Sequence, residues 1–420
     1  MAKRRPSALT QSTNGSGGGE GKTAKNAAEL PLADGNEVRA AVDPRAVYVH
    51  VPFCPHKCHY CDFYSVVSDG VRREQFVHRL TTELEAAGGF FRRPAESIFV
   101  GGGTPSLLHT KLWEILLAAF RSLLPLADDL EFTVEANPET VDEALIDTLA
   151  AGGVNRLSLG VQSFHRPHLA TLGRLHEPAG VARSVELARA GGISNISLDL
   201  IFAIPGQTPA EWEDDLDAAL ALEPTHLSCY GLIYEPGTPL TVRREAGLVQ
   251  SVGEDVEASM YEAAVDRLTE AGFQHYEISN WARSGCQCRH NLIYWTNGQW
   301  WPLGPAAAGH VRGHTGGWRW KNVPDLEAYL ASGPLPPICD VEHLDADGRV
   351  GEALMLGLRM IDGIELTRLE ALLAEGKRGR QRAEAIETHL AAGLLERRDD
   401  HLRLTRRGLL LADTVLSDLI

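Results

Sequence analysis

The stretch "CPHKCHYCDF" (54–63) sets Cys54, Cys58 and Cys61 at intervals of four and three residues. Clustered thiolates are ligands for soft metals, and two chemistries compete for these three. Structural zinc takes four nitrogen or sulfur ligands, and His56 or His59 beside the cysteines would complete such a set. A [4Fe–4S] cluster usually takes four thiolates. Three would leave one iron without a protein ligand, and an open position lets a metal bind a small molecule directly.

Further candidates stand where short apolar runs end. "SIFVGGGTPS" puts Gly101, Gly102, Gly103 and Thr104 behind such a run. Glycines let backbone approach a ligand without Cβ interference, although a tight turn has the same needs. The spacing is not G-x-G-x-x-G, so no dinucleotide fingerprint is read here. "FTVEANP", "LGVQSF" and "ISLDLIF" carry Glu135, Gln162 and Asp199 in otherwise apolar surroundings. Buried polar groups cost free energy unless paired. Three of them at the ends of successive strands read as a ring facing a ligand, while each alone has a satisfied structural group as its alternative. Arg174 in "LGRLH" is either a carboxylate partner or a surface residue.

The elements that must position these residues follow from pattern. Strands are predicted at 46–51, 97–100, 130–135, 156–161, 196–202 and 226–232, and helices at about 71–88, 109–124, 140–151, 177–191, 209–222 and 253–271. This alternation implies a parallel sheet with right-handed crossovers. Six units are too few to close an eight-stranded barrel, so the fold class is α/β, an open partial (β/α)6 barrel over 45–280. Its chemistry belongs at the carboxyl ends of the strands. Residues 1–44 are Gly/Ser/Ala-rich and are expected to form a disordered tail. Residues 281–344, with "NWARSGCQCRHNLIYWTNGQWWPLGP", read as an irregular aromatic-rich elaboration. Residues 345–420 read as a winged-helix-like α+β module, with a strand–turn–strand at 394–405 and a last helix at 406–419. That module is read as a structural cap, because it shows no strong basic face.

Bulk properties narrow the function. The 420 residues are 44% hydrophobic and 23% charged, with a formal net charge of −16. Such an acidic balance argues against a general nucleic-acid binder. No run of about 18 apolar residues is present, so no membrane span is expected, and the N-terminus lacks the apolar region of a secretory signal. Seven clustered cysteines in so long a chain do not suit a disulfide framework and point to the cytoplasm. Cys286 and Cys288 read as ordinary thiols.

Taken together, "YVHVPFCPHKCHYCDF", "GGGTPS", "VEANPE", "RLSLGVQSF" and "DLIFAIPGQT" resemble the oxygen-independent coproporphyrinogen III oxidase family of radical S-adenosylmethionine (SAM) proteins, from about residue 46 to the C-terminus. The resemblance implies that Cys54, Cys58 and Cys61 hold a [4Fe–4S] cluster whose fourth iron binds SAM. It implies that Tyr48 and Tyr60 flank the cluster and contact SAM, with Tyr60 near the adenine. Gly102, Gly103 and Thr104 would receive the methionyl end, and Glu135, Gln162, Arg174 and Asp199 would complete the site, with Asp199 meeting the ribose.

The dehydrogenase branch of that family carries C-x3-C-x2-C-G-C. Here Asp62 and Phe63 follow Cys61, which is similar to the haem-chaperone branch. That branch also carries H-N-x-x-Y-W, intact at 290–295, whose histidine is implicated in binding haem. The resemblance thus makes His290 a haem ligand, where the residue alone reads as structural. The chain departs from the branch at 302–309: Pro302, Ala306, Ala308 and Gly309 stand where Gly, Gly, His and Ser are usual, with His310 two positions beyond the lost histidine. Ala203 replaces another glycine. The implied function is a chaperone that binds haem and transfers it to a respiratory or haem-storage acceptor, with cluster and SAM gating transfer or formation of a homodimer. The alternatives are a dehydrogenase that oxidatively decarboxylates two propionates of coproporphyrinogen III, and a radical SAM enzyme acting on another substrate.

Overall fold

A computed structural model describes residues 42–313 and 316–420. The expected tail at 1–44 lies outside the described residues except for its last three. Six parallel strands follow one another in sheet order: β1 (Ala46–Val51), β2 (Ala95–Gly102), β3 (Leu126–Ala136), β4 (Arg156–Gln162), β5 (Asn195–Phe202) and β6 (His226–Gly231). Helices such as Gly70–Gly88, Thr110–Leu123 and Pro209–Ala221 form the crossovers. Sequential order with every crossover of one kind curls the sheet into the expected open barrel.

Successive side chains of a strand face opposite sides. On the convex side Val47, Val49, Ile98, Leu157 and Leu159 are fully buried in the main core beneath the helices. The other parity behaves differently. Ser97, Glu131, Arg156, Ser197 and His226 point into the concave side and are buried as well, with Ser97 paired to Glu131 and Ser197 to His226 in register. Parallel strands usually read as continuous apolar runs because both faces are covered by apolar layers. Here that face carries polar groups at the mouth and the floor, with the Tyr48 and Phe99 rings stacked between them.

The segment at 281–344 carries more regular structure than its composition suggested. Strands β7 (Gln274–Glu277) and β8 (Asn280–Ala282) run antiparallel on the β6 edge. Strand β9 (Trp300–Leu303) runs parallel on the β1 edge, followed by the antiparallel β10 (Ala308–Arg312), β11 (Gly317–Asn322) and β12 (Ile338–Leu344). Pro302 stands within β9 although proline cannot donate to a ladder. It is accommodated because β9 pairs with β10 at a single position, His310 with Trp300.

Between β8 and β9 the chain crosses under the lumen. It leaves at Ala282, beside His226 at the start of β6, and returns at Trp300, beside Ala46 at the start of β1. This strap, residues 283–299, carries the helix Arg289–Trp295.

The C-terminal region has its own core, including Val350, Leu354, Leu402 and Val415. Its small sheet is β13 (Ile364–Glu365), β14 (Leu395–Arg398) and β15 (His401–Leu404). Asp399 and Asp400 both have positive φ (49° and 62°), as a tight hairpin turn requires. The single helix expected at 406–419 is two, Arg406–Leu410 and Ala412–Ser417, parted at Leu411 with φ −117° and ψ 22°.

Candidate functional site at the mouth of the lumen

The cysteine loop leaves the carboxyl end of β1 and is pinned on both sides. The Cys54 amide donates to Val66 O (3.1 Å), and the Val66 amide returns a bond to Pro52 O (2.7 Å). The His59 amide donates to Leu172 O (2.9 Å), and the Leu240 amide donates to His59 O (2.8 Å). Tyr60 packs among Leu172, Ile201, Ile204, Leu232 and Leu240, which pushes its phenol pKa up by burial.

Beside the loop, the end of β2 approaches backbone to backbone. Gly103 donates to Val51 O (2.8 Å), and a Cβ there would meet Phe53 O at 2.6 Å. Gly102 has φ 101°, and a Cβ there would meet His50 Nδ1 at 2.5 Å. Only glycine fits both positions. The Thr104 hydroxyl donates to Cys54 Sγ (3.6 Å) and accepts from Asn137 Nδ2 (3.1 Å). Asn137 Oδ1 accepts from Arg174 Nη2 (2.7 Å), and Arg174 Nη1 donates to Cys58 Sγ (3.9 Å). Thr104, Asn137 and Arg174 thus link two of the three thiols. Burial pushes the Cys61 thiol up to about 12 and that of Cys58 up as well.

Two carboxylates face the same space. Glu135 accepts from the Gly102 amide (3.1 Å), and burial, then the charge of Asp199, pushes it up to about 7. Asp199 accepts from Ser158 Oγ (2.9 Å) and Ser197 Oγ (3.1 Å), and burial raises it too. Gln162, also at the mouth, takes φ 66° at a break in the β4–β5 register. Ala203, at the end of β5, takes φ 59°. That is a left-handed backbone which glycine adopts without strain.

Tyr48 sits deeper than the cysteines. Its hydroxyl lies 3.3 Å from His50 Nδ1, and its ring lies 6.3 Å from that of His290. His290 is at the opposite end of the strands, on the strap. It is 2% exposed, with Nδ1 3.0 Å from Ser97 Oγ and Nε2 3.0 Å from Tyr294 OH. Both ring nitrogens are therefore engaged. Burial, then the Arg156 charge, pushes its pKa down to about 3. Glu131 accepts from the amides of Arg289 (3.0 Å) and His290 (3.1 Å) and so caps the strap helix. His310 joins β10 to the C-terminal region: Nδ1 donates to Gly298 O (2.8 Å), and Nε2 faces Glu352 at 3.6 Å.

The structure thus gathers the three cysteines, Gly102, Gly103, Thr104, Glu135, Gln162, Arg174 and Asp199 at the mouth and sets His290 at the floor. Sequence reasoning passed over Asn137, although it stands inside "VEANPE". It also passed over Glu131 and Arg156, which the strand period would have found by counting back in twos from Glu135 and Gly160.

The residues at the mouth fit the groups that the resemblance implies. In a [4Fe–4S] cluster each thiolate takes a different iron, so the sulfurs need not converge on one point. Among the described residues no three His, Cys, Asp or Glu side chains converge closely enough to hold a single metal ion. Arg174 Nε is buried without a partner among the described residues, and with Glu135 and Asp199 opposite, the mouth suits a ligand bearing both a carboxylate and cationic groups.

Comparisons agree with this geometry. The sequence pattern of the radical SAM superfamily matches residues 48–219, and that of the HemN C-terminal domain matches 344–411. In fold, the chain is similar to the coproporphyrinogen III oxidase HemN from Escherichia coli, a radical SAM enzyme, with TM-score 0.77 over 91% of this chain and 92% of that one, at 19% identity. In sequence, it is 34% identical to the Heme chaperone HemW of Bacillus subtilis over 88% of this chain and 98% of that protein. It is 41% identical to the Heme chaperone HemW of Mycobacterium tuberculosis over 90% of this chain and 95% of that protein. Likeness of that extent, with the cysteine loop and strand-end residues in place, makes the chain a member of the HemW family within the radical SAM superfamily.

Proposed function

We propose that this protein binds haem and passes it to an acceptor protein, with an iron–sulfur cluster and SAM at the mouth controlling the transfer. The observation that carries this reading is the 41% identity, across nine-tenths of the chain, to proteins named heme chaperones. Asp62 and Phe63 after Cys61, where the dehydrogenase branch has Gly and Cys, favour the same reading. A cluster on Cys54, Cys58 and Cys61 would supply electrons and one open iron position.

The chain's own groups do the rest. Thr104 and Arg174 aim donors at Cys54 and Cys58 sulfur, which favours the ligating thiolate. Gly102 and Gly103 let the end of β2 close on His50 and Phe53 beside the SAM site, Glu135 and Asp199 offer charge to its cationic groups, and Tyr60 offers a ring for the adenine. His290 is neutral at pH 7, the form that ligates iron. To reach haem, its Nε2 has to release Tyr294 OH. The acceptor is a respiratory or haem-storage protein, the setting is the cytoplasm, and the working form is a homodimer. The barrel at 45–280 holds cluster and SAM, 281–344 holds the haem motif, and 345–420 caps the floor. Among the described residues no helix is long and apolar enough to cross a membrane.

The test is anaerobic reconstitution followed by parallel haem titration and incubation with coproporphyrinogen III and SAM. Haem binding without decarboxylation is expected. Multiple turnovers to protoporphyrinogen IX would sink the chaperone reading. His290→Ala should weaken haem binding with the cluster intact, whereas Tyr294→Phe, which frees Nε2, should keep or tighten it. Unchanged haem affinity in His290→Ala rejects that ligand.

A further inference from the structure

Arg156 opens β4 at the floor of the lumen and is 2% exposed. Its Nε and Nη1 have no hydrogen-bond partner among the described residues. Thr133, its register neighbour on β3, is fully buried, and its hydroxyl likewise has no partner. Two orphaned donors therefore stand side by side on the concave face.

The nearby acceptors are already committed. Glu131 holds the Arg289 and His290 amides and faces Cys288 Sγ at 3.7 Å. Asp199 holds Ser158 and Ser197. His226 places Nδ1 2.8 Å from Ser197 Oγ and Nε2 2.8 Å from Tyr276 OH. Its pKa, like that of His290, is pushed down by burial and then by the Arg156 charge, so both rings are neutral. Among the described residues no carboxylate lies within ion-pairing distance of Arg156. A buried guanidinium left this way is costly. Its planar fork of donors matches a carboxylate in two-point contact.

We propose that Arg156, with Thr133 beside it, is a carboxylate seat at the floor of the lumen, and that its occupant is a propionate arm of haem. The second half rests on the haem-binding reading above. From Gln162 at the mouth to Arg156 is six residues of strand, about 20 Å. The seat shares the floor with His290, the residue that the haem reading makes the iron ligand. A free small carboxylate has the same chemistry.

The experiment uses the full chain and three probes: haem, haem dimethyl ester with its carboxylates masked, and propionate alone. The wild type should bind the ester about 10-fold or more weakly than haem, the loss expected for a charge-assisted contact. Arg156→Gln should bring haem down to the affinity of the ester and leave the ester unchanged, with Arg156→Lys in between. Equal binding of haem and ester by the wild type overturns the haem assignment without needing any variant to fold. So does an equal loss of both in Arg156→Gln. A thermal shift with propionate that Arg156→Gln abolishes, without discrimination between haem and ester, leaves a seat for a free anion and overturns haem as occupant. If the wild type binds no haem, the haem reading itself has failed. The propionate arm then decides Arg156 alone: a shift supports the seat, and no shift overturns it.

Discussion

The two ends of the lumen solve the problem of burying polar groups in different ways. At the mouth, Glu135, Asp199 and Arg174 keep some exposure, and Arg174 Nε has no partner among the described residues. At the floor, His290, His226 and Glu131 are fully buried, and each is bonded by other residues of the chain. Arg156 and Thr133 are the exceptions there. Unsatisfied groups near solvent are inexpensive until a ligand arrives, whereas unsatisfied groups at depth are not. The mouth keeps its open donors near solvent, whereas the floor ties its polar groups to one another everywhere but at Arg156 and Thr133.

That contrast predicts opposite signatures for substitutions at the two ends. The largest effect belongs to the mouth. Cys58→Ser should abolish cluster retention, read as loss of iron and of visible absorbance after anaerobic reconstitution, with little change in folding. A variant that keeps a full cluster contradicts the assignment. At the floor, Glu131→Ala removes the carboxylate that caps the strap helix and leaves two buried amides unpaired. It should cost about 2–4 kcal/mol of stability in denaturant titration while SAM affinity holds. Asn137→Ala removes the bridge between Thr104 and Arg174, which keeps its bond to Gly160 O, at about 1–2 kcal/mol, read as SAM affinity reduced roughly 10-fold. Equal SAM binding would show that the bridge between the two thiols does not position the site.

A fourth prediction concerns pH. Glu135 sits at about 7 in the folded protein, above its ordinary value. The folded state therefore holds a proton that the unfolded state has released between the usual carboxylate range and pH 7. The ligand-free protein loses stability as pH rises through that window. Affinity for the cationic groups of SAM should rise over the same interval, and Glu135→Gln should flatten both profiles.

The smallest effects lie in the altered loop. A Cβ at Gly309 would meet Pro302 Cδ at 2.5 Å and Trp320 Cζ2 at 2.8 Å. Pro302 and Gly309, each a departure from the branch pattern, therefore fit one another. Gly309→Ser should cost about 1–3 kcal/mol through overpacking, and Pro302→Gly should restore part of it, the Trp320 contact remaining. Ala306 holds φ 65°, so Ala306→Gly relieves strain that offsets the lost methyl and should be neutral within about 0.5 kcal/mol. Ala307→Gly, buried with ordinary φ, should cost about 1 kcal/mol.

The strands, the crossover helices and the mouth were legible because their signals are local. Each strand is a compact apolar run, and Gly102, Glu135 and Gln162 stand at the end of one, while Asp199 lies in the middle of β5 and Arg174 follows a helix. The floor was not legible. Ser97, Glu131, Arg156 and His226 come from four separate strands and meet only through register. In a parallel sheet such residues also look like exceptions to an apolar rule. Strand β9 was hidden by Pro302, and the strap by Gly285, Gly298 and Trp295. Asn137 was in plain view, but its role depends on Thr104 and Arg174 lying to either side of it in space.

The strap has a mechanical consequence. It is anchored at the first residue of β6 on one side and the first residue of β1 on the other, so it clasps the two edges that an open barrel leaves apart. Any splaying or drawing together of those edges must stretch or slacken residues 283–299, and the Ser97–His290–Tyr294 contacts lie on that span. The contacts that hold the His290 ring therefore lie on the one span that ties the barrel's two edges together.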